Sequence, residues 1–452
     1  MSHGRFSRRV RLSGRHPLWW AVAAVLAILL AASYVRLWPR VNNKDWRVYV
    51  EAGAALARGG DIYADTEPFR ERVESGAFDL KDPDVRWPYA YPPLAAILAV
   101  PLAGLPYEPL ALAWTVANVL MLVAAGWLCL LALPGRALPG RALPGQALSG
   151  QAPGPVEPLD VAMLGAILYA FYPATVSLRL GQLEILQLLL LAGAYLGLKR
   201  GRSLVAGLLL GVATALKFFP GALIAFLLWK RLWRPALVGL AVALALLAGS
   251  FAVVGFEQVP RYLAFTSLYS RGAFGAFPLN QSLHGFFARN LTANPFVVPL
   301  KGWHLPWLAD GATLALSALL VGGWAALCAR PLDPPGSQRF DLEFSGAIAL
   351  LLLVSPHSQV YAFVWLLAPL LVLAYRLRRA GPGWAWPLAI VAYALVGRRY
   401  ELYRPGLTRF VVSHVMFGAL LLLVVMGALL WAMRPRRDAA GDRQGAGGEE
   451  KP

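Results

Sequence analysis

Residues 199–231 read KRGRSLVAGLLLGVATALKFFPGALIAFLLWKR. An apolar run lies between two basic clusters, Lys199–Arg200–Arg202 and Lys230–Arg231–Arg234. Short loops rich in Lys and Arg stay in the cytoplasm, so both clusters belong on that side. An even number of membrane crossings must then fit between them. Two full spans need roughly 40 residues, and the interval 203–229 is shorter than that. The expectation is a hairpin of short or tilted helices that turns at Lys217–Phe218–Phe219–Pro220. Pro220 supplies the break, because proline has no amide hydrogen and clashes with the preceding turn.

Residues 344–375 repeat this design, with Ser355–Pro356–His357–Ser358–Gln359 as the turn and Arg376, Arg378 and Arg379 closing it. Between the hairpins, 235–256 leads out and 311–329 leads back, which makes 257–310 an external loop. Upstream, Pro17 to Val35 is a first span flanked by Arg15 and Arg36. A signal peptide is the alternative there, but the apolar run is long for one, which favours a retained helix. Residues 36–91 are then a long external loop. The segment YPPLAAILAVPLAGLP (91–106) is a half-helix at the outer face, and 109–133 returns inward. The five-residue repeat ALPGRALPGRALPGQALSGQ puts Pro and Gly where no regular helix survives, so 134–157 is a cytoplasmic linker. Spans near 160–178 and 182–198 follow, with Arg179, Gly181, Gln182 and Glu184 at an outer tip. Residues 384–396 and 410–433 bring the total to about twelve crossings. The Gly-rich, charged stretch 434–452 is a disordered cytoplasmic tail. The reading is an all-α polytopic membrane protein with one transmembrane domain over 1–433 and both termini in the cytoplasm.

Composition agrees. Of 452 residues, 58% are hydrophobic and only 15% charged, with mean hydropathy +0.55. A soluble chain of this size could not cover its surface with so few charges. The net charge of +18 follows from arginines in inter-span loops. No aromatic-basic pattern of a nucleic-acid binder accompanies it. Cys129 and Cys328 lie within apolar segments and imply neither a disulfide framework nor a metal cluster.

The remaining polar groups collect on the outer side. Asp45, the first acidic residue of the chain, heads DWRVYVEAGAALARGGDIY. Trp46, Tyr49, Gly53 and Leu56 form the stripe of a helix lying along the membrane surface. Asp45 is either the N-cap of that helix or a base acting at the bilayer surface. Lys217, near mid-span, costs about 2.5–3.5 kcal/mol to insert. It is either snorkelling or, with the helix N-terminus behind Pro220, cradling a phosphate. His357 is either a satisfied core residue or a donor to a phosphate or a sugar. His3, His16, His304 and His414 show no metal-ligand spacing with it. Asp82–Pro83–Asp84 is a weak metal pattern or a plain turn. Asn280–Gln281–Ser282 and Asn290–Leu291–Thr292 match glycosylation acceptor sites.

In order and spacing these landmarks resemble glycosyltransferase family 87, whose members have the GT-C fold. The points of resemblance are Asp45 with Tyr49, Gly60, Tyr63, Tyr91–Pro92–Pro93 and Gly181–Gln182. They continue with Lys217 and Pro220 in ALKFFP, Asn280–Gln281–Ser282 and Ser355–Pro356–His357. The resemblance implies a polyprenyl phosphate sugar donor, typically of mannose. It implies inverting transfer to a glycolipid or polysaccharide hydroxyl on the outer face. It makes Asp45 the general base and Lys217 and His357 the contacts to the donor phosphate. Tyr49, Tyr91, Arg179, Gln182, Asn280, Gln281 and His284 are further candidate substrate contacts. Arg179, like Glu184, is a neighbour that the pattern does not fix. The chemistry agrees: a leaving phosphate needs a cation, a sugar hydroxyl needs a carboxylate, and without a pyrophosphate no metal or other cofactor is called for. A multi-span transporter or lipid-linked-sugar flippase is the rival, since such proteins also use broken helices and buried charge.

Overall fold

The computed structural model describes residues 17–37, 40–75, 87–133, 156–271, 273–294, 296, 303–329, 334–400 and 408–433. The 134–155 part of the repeat, Asp82–Pro83–Asp84 and the tail 434–452 lie outside them. The described residues are built from helices, with no named strand among them. A single antiparallel bridge joins Asn280 to Gln359.

The first described helix is α1 (Leu18–Leu37), at the predicted first span. The helix expected to lie along the membrane surface is α2 (Lys44–Ala57), followed by α3 (Thr66–Glu74). The half-helix is α4 (Leu94–Ala99), continued by a 3-10 turn at Val100–Leu102. The return span is α5 (Tyr107–Ala132). The predicted span 160–178 is two helices, α6 (Pro158–Tyr169) and α7 (Tyr172–Leu180), bent by 63°. Pro173 sits in the first turn of α7. It cannot continue a ladder begun in α6, so the chain restarts there. Then come α8 (Glu184–Lys199), α9 (Ser203–Leu216), α10 (Gly221–Trp229) and α11 (Trp233–Val254). The break between α9 and α10 falls at Lys217–Pro220, as expected.

The second long loop is itself helical, with α12 (Gln258–Arg271) and α13 (Leu283–Leu291). The rest is α14 (Pro306–Leu327), α15 (Gln338–Val354), a 3-10 stretch at Val360–Leu366, α16 (Leu367–Ala380), α17 (Ala385–Gly397), α18 (Thr408–Val411) and α19 (His414–Ala432).

Among the described residues, six segments are long and apolar enough to cross a bilayer, or seven if α6 and α7 count as one broken span. The helices α9 and α17 are apolar but shorter. Large side chains on the long spans face outward, such as Ile28, Val35, Leu120, Trp127, Leu314 and Leu319. Such apolar surface suits lipid, and the chain is a multi-pass membrane protein.

Inside, small residues bring backbones close. A side chain at Gly207 or Gly211 of α9 would meet the backbone oxygens of Pro235 and Gly239 on α11 at 2.6 and 2.7 Å. This is the close contact that glycine permits between membrane helices.

Ion pairs tie the helix ends together at one end of the bundle. Lys199 meets Asp341 at 2.5 Å, Lys230 meets Glu343 at 2.7 Å, and Arg378 meets Asp160 at 3.1 Å. The clusters expected as solvated loops are thus partly buried, with acids of α15 and α6 as partners. The helix α8 runs about 24 Å from this basic end. At its other end Glu184 meets Lys217. Both ends of the α9–α10 pair therefore sit at the basic end, and the break sits away from it.

Candidate active site

The start of α2 is fixed by Asn43, which adopts a left-handed conformation (φ 48°) at the N-cap position. Its side chain donates to Thr115 Oγ1 (3.1 Å) and Ala111 O (3.3 Å) on α5. Its carbonyl accepts from Tyr107 OH (2.8 Å). Backbone amides of Asn42 and Asn43 donate to Arg179 O, each at 3.0 Å. Trp46 stacks on Trp114, with ring centroids 4.1 Å apart. Asn43 holds the cap position, so Asp45 is not the N-cap. Its carboxylate is used elsewhere.

It is used on Gln182. Gln182 Nε2 donates to Asp45 Oδ2 at 2.5 Å. Gln182 Oε1 accepts from Tyr49 OH (3.2 Å) and from Lys217 Nζ (3.4 Å). Tyr91 OH lies 3.4 Å from both amide atoms. One buried amide therefore couples the carboxylate of α2 to the ammonium after α9. Gly181 makes this turn possible. It sits at φ 71°, and a side chain there would press on Asn43 and Trp46.

Lys217 is an ion-pair partner of Glu184. Its Nζ also lies 4.6 Å from the Tyr91 ring centroid and 5.4 Å from that of Tyr361. An ammonium carries three donors. Among the described residues, Glu184 and Gln182 take two of them.

The second kinked turn brings in His357. Asn280 clamps this turn. Its Nδ2 donates to Pro356 O (3.1 Å) and Gly275 O (3.0 Å), and its Oδ1 accepts from Ser358 N (3.1 Å) and Ser282 N (3.2 Å). Gln281 N donates to Ser358 O at 2.7 Å, and Val360 N to Leu279 O at 2.8 Å. Gln359 Nε2 lies 2.9 Å from His357 Nε2. The amide nitrogen can only donate, so the imidazole proton belongs on Nδ1.

These groups border one cavity of about 640 Å³. Asp45, Gln182, Glu184, Lys217, Tyr91 and His357 line it, with Lys44 at the α2 side. Trp87, Phe218, Tyr262, Leu263 and Leu279 supply apolar wall. Burial pushes the Asp45 carboxyl up to about 6, with the Glu184 charge adding to the shift. The Gln182 hydrogen bond, Lys217 and Lys44 oppose it. Burial, with Lys217 and His284 nearby, pushes His357 down to about 3, so its ring is neutral. The site can accept a proton at one side and hold an anion at the other, beside apolar surface.

Several sequence-derived candidates do not border the cavity. Tyr49 is fully buried behind Gln182. Arg179 contributes its backbone carbonyl to the start of α2. Asn280 and Gln281 are buried and spend their side chains on backbone; Gln281 Nε2 donates to Val412 O at 2.7 Å. They stand as supports of the His357 turn, and Asn280 and Asn290 are too buried to act as glycosylation acceptors in the folded chain. His284 lies on α13, 3.8 Å from Asp310. The residue the sequence undervalued is Glu184, visible only as a charge two positions after Gln182. Asn280→Ala removes a clamp of four hydrogen bonds. It is expected to cost on the order of 3 kcal/mol, read as a lowered unfolding temperature in detergent.

A sequence model of glycosyltransferase family 87 matches residues 89–356. A polyprenol-phosphate-mannose-dependent alpha-(1-2)-phosphatidylinositol pentamannoside mannosyltransferase of Mycobacterium tuberculosis is 29% identical over 377 residues, covering 80% of this chain and 76% of the relative. A polyprenol-phosphate-mannose-dependent alpha-(1-2)-phosphatidylinositol mannoside mannosyltransferase of Mycolicibacterium smegmatis is 27% identical over 369 residues, covering 80% and 76%. The family match contains Gln182, Glu184, Lys217 and Asn280 and ends one residue before His357.

Proposed function

The chain belongs to glycosyltransferase family 87, and from that premise we propose that it moves a hexose, mannose by likeness to its relatives, from a polyprenyl phosphate to a glycolipid hydroxyl. A single observation carries the reading: Asp45, Lys217 and His357, far apart in sequence, border one cavity with an apolar wall. The polyprenyl chain takes the apolar side. The donor phosphate, a single negative charge, takes the third N–H of Lys217, with the His357 side chain as its second contact. Asp45 accepts the proton of the acceptor hydroxyl as its oxygen attacks the anomeric carbon. The bond from that carbon to the phosphate oxygen breaks, and polyprenyl phosphate leaves. One displacement with one carboxylate inverts the sugar centre; retention would require a second, positioned nucleophile. No step requires a metal.

The cavity lies away from the end where Lys199, Lys230 and Arg378 are paired. The positive-inside rule makes that basic end cytoplasmic and the cavity external. With the short and broken helices counted, a GT-C arrangement of about twelve crossings with a long first external loop accommodates this sidedness. The family match favours a transferase over a transporter.

The test is transfer by the purified protein from a panel of radiolabelled polyprenyl phosphate sugars to membrane glycolipid extract, with and without chelator. Labelled glycolipid that forms equally in both arms is the expected result. Its absence with every donor defeats the proposal, and strong inhibition by chelator defeats metal independence. The same assay carries a pH prediction. The base must be ionised, and its carboxyl is raised to about 6. Transfer is therefore expected to be flat near pH 7–8 and to fall about tenfold per unit below about pH 6.

A further inference from the structure

The Lys217–Glu184 pair leaves one polar atom unaccounted for. Lys217 Nζ engages Glu184 Oε1. The other carboxylate oxygen, Oε2, is buried without a hydrogen-bond partner among the described residues. The side chain is 2% exposed, and the residue borders the cavity with Gln182 and Lys217. Its backbone is held by Trp365 Nε1, which donates to the Glu184 carbonyl at 3.2 Å, and its carboxylate is held through one oxygen, by Lys217. The oxygen is covered, at the edge of the cavity that the residue borders. Such an acceptor costs free energy until some group donates to it, and a small turn of the carboxylate would present it to a bound molecule.

The lipid-linked donor offers few such groups, and the reacting hydroxyl of the acceptor is already assigned to Asp45. A phosphodiester has only acceptors, and its charge repels a carboxylate. The polyprenyl chain has no N–H or O–H. The sugar has several hydroxyls, and its location is constrained. The anomeric carbon must lie between the phosphate at Lys217 and the incoming hydroxyl at Asp45. Gln182 spans those two groups, and Glu184 adjoins the same floor. We propose that Glu184 Oε2 accepts a hydrogen bond from one hydroxyl of the transferred sugar and so selects the donor by that hydroxyl. The proposal rests on the transferase reading and adds a specificity residue to it.

A hydrogen bond to a charged group supplies about 10- to 100-fold of discrimination. A site built for a hydroxyl also rejects the analogue that lacks it. The experiment compares polyprenyl phosphate mannose with its monodeoxy analogues in the wild type, Glu184→Gln and Glu184→Asp. The Gln variant keeps an acceptor for Lys217 but replaces one oxygen with a donor. The Asp variant keeps the charge and withdraws the second oxygen. In the wild type, one deoxy position is expected to lower kcat/KM by about 10- to 100-fold. In both variants the penalty at that position, and at no other, shrinks to about threefold or less. Each penalty is a ratio between donors in one preparation, so partial misfolding cancels, and either variant alone decides. Penalties unchanged in the variants, or no penalty in the wild type, overturn the proposal. Wild-type protein that uses no donor at all fails the transferase reading instead.

Discussion

Asp45→Asn is expected to lower sugar transfer about 10²- to 10⁴-fold, the range a general base contributes. The substitution is close to isosteric, and an asparagine at this position can still hydrogen-bond to Gln182. The cap of α2 rests on Asn43, whose bonds to Thr115 and Ala111 are untouched. Membrane insertion and unfolding temperature should therefore stay near wild type. Residual activity should also lose its fall below about pH 6, because the group that titrates there is gone. Initial rates with labelled donor, measured across pH, check both statements. Near-normal turnover would remove Asp45 from the mechanism.

Lys217→Ala is expected to damage donor use and stability together, for separable reasons. The ammonium is the cation assigned to the phosphate, so donor KM should rise by about 10- to 100-fold while acceptor KM holds. The same change strands the Glu184 carboxylate, and breaking a buried pair from one side typically costs about 3–5 kcal/mol. The double variant Lys217→Ala/Glu184→Gln removes the stranded charge. It should regain much of the lost unfolding temperature and none of the lost donor affinity. Equal defects for donor and acceptor would rule out the phosphate assignment.

Much of the fold was legible because charge and proline are local signals. Pro220 and the basic clusters around it placed the first kink, and Pro356 placed the second. Asp45 stood out as the first acid after a span. The break at Ala170–Phe171 escaped because hydropathy stays high across it, although Pro173 was in view. The site was legible in its members and less so in their roles. Glu184 meets Lys217 from the next helix, and nothing local says which carboxylate will face which amine. Asn280 and Gln281 look like substrate contacts until their hydrogen bonds are seen to close on Pro356, Ser358 and Val412. Lys199 and Lys230 read as loop charges, yet their partners Asp341 and Glu343 arrive from a helix over a hundred residues later.

A shared site requires the first-loop carboxylate and the second kinked turn to open to the same side of the membrane. Single-cysteine variants Asp45→Cys, His357→Cys and Arg231→Cys, made after replacing Cys129 and Cys328 with alanine, test this in intact cells with a membrane-impermeant maleimide. Labelling at 45 and 357 from outside, and at 231 only after permeabilisation, is the expected result. Labelling of 45 and 357 from opposite faces would mean that the two groups cannot serve one site.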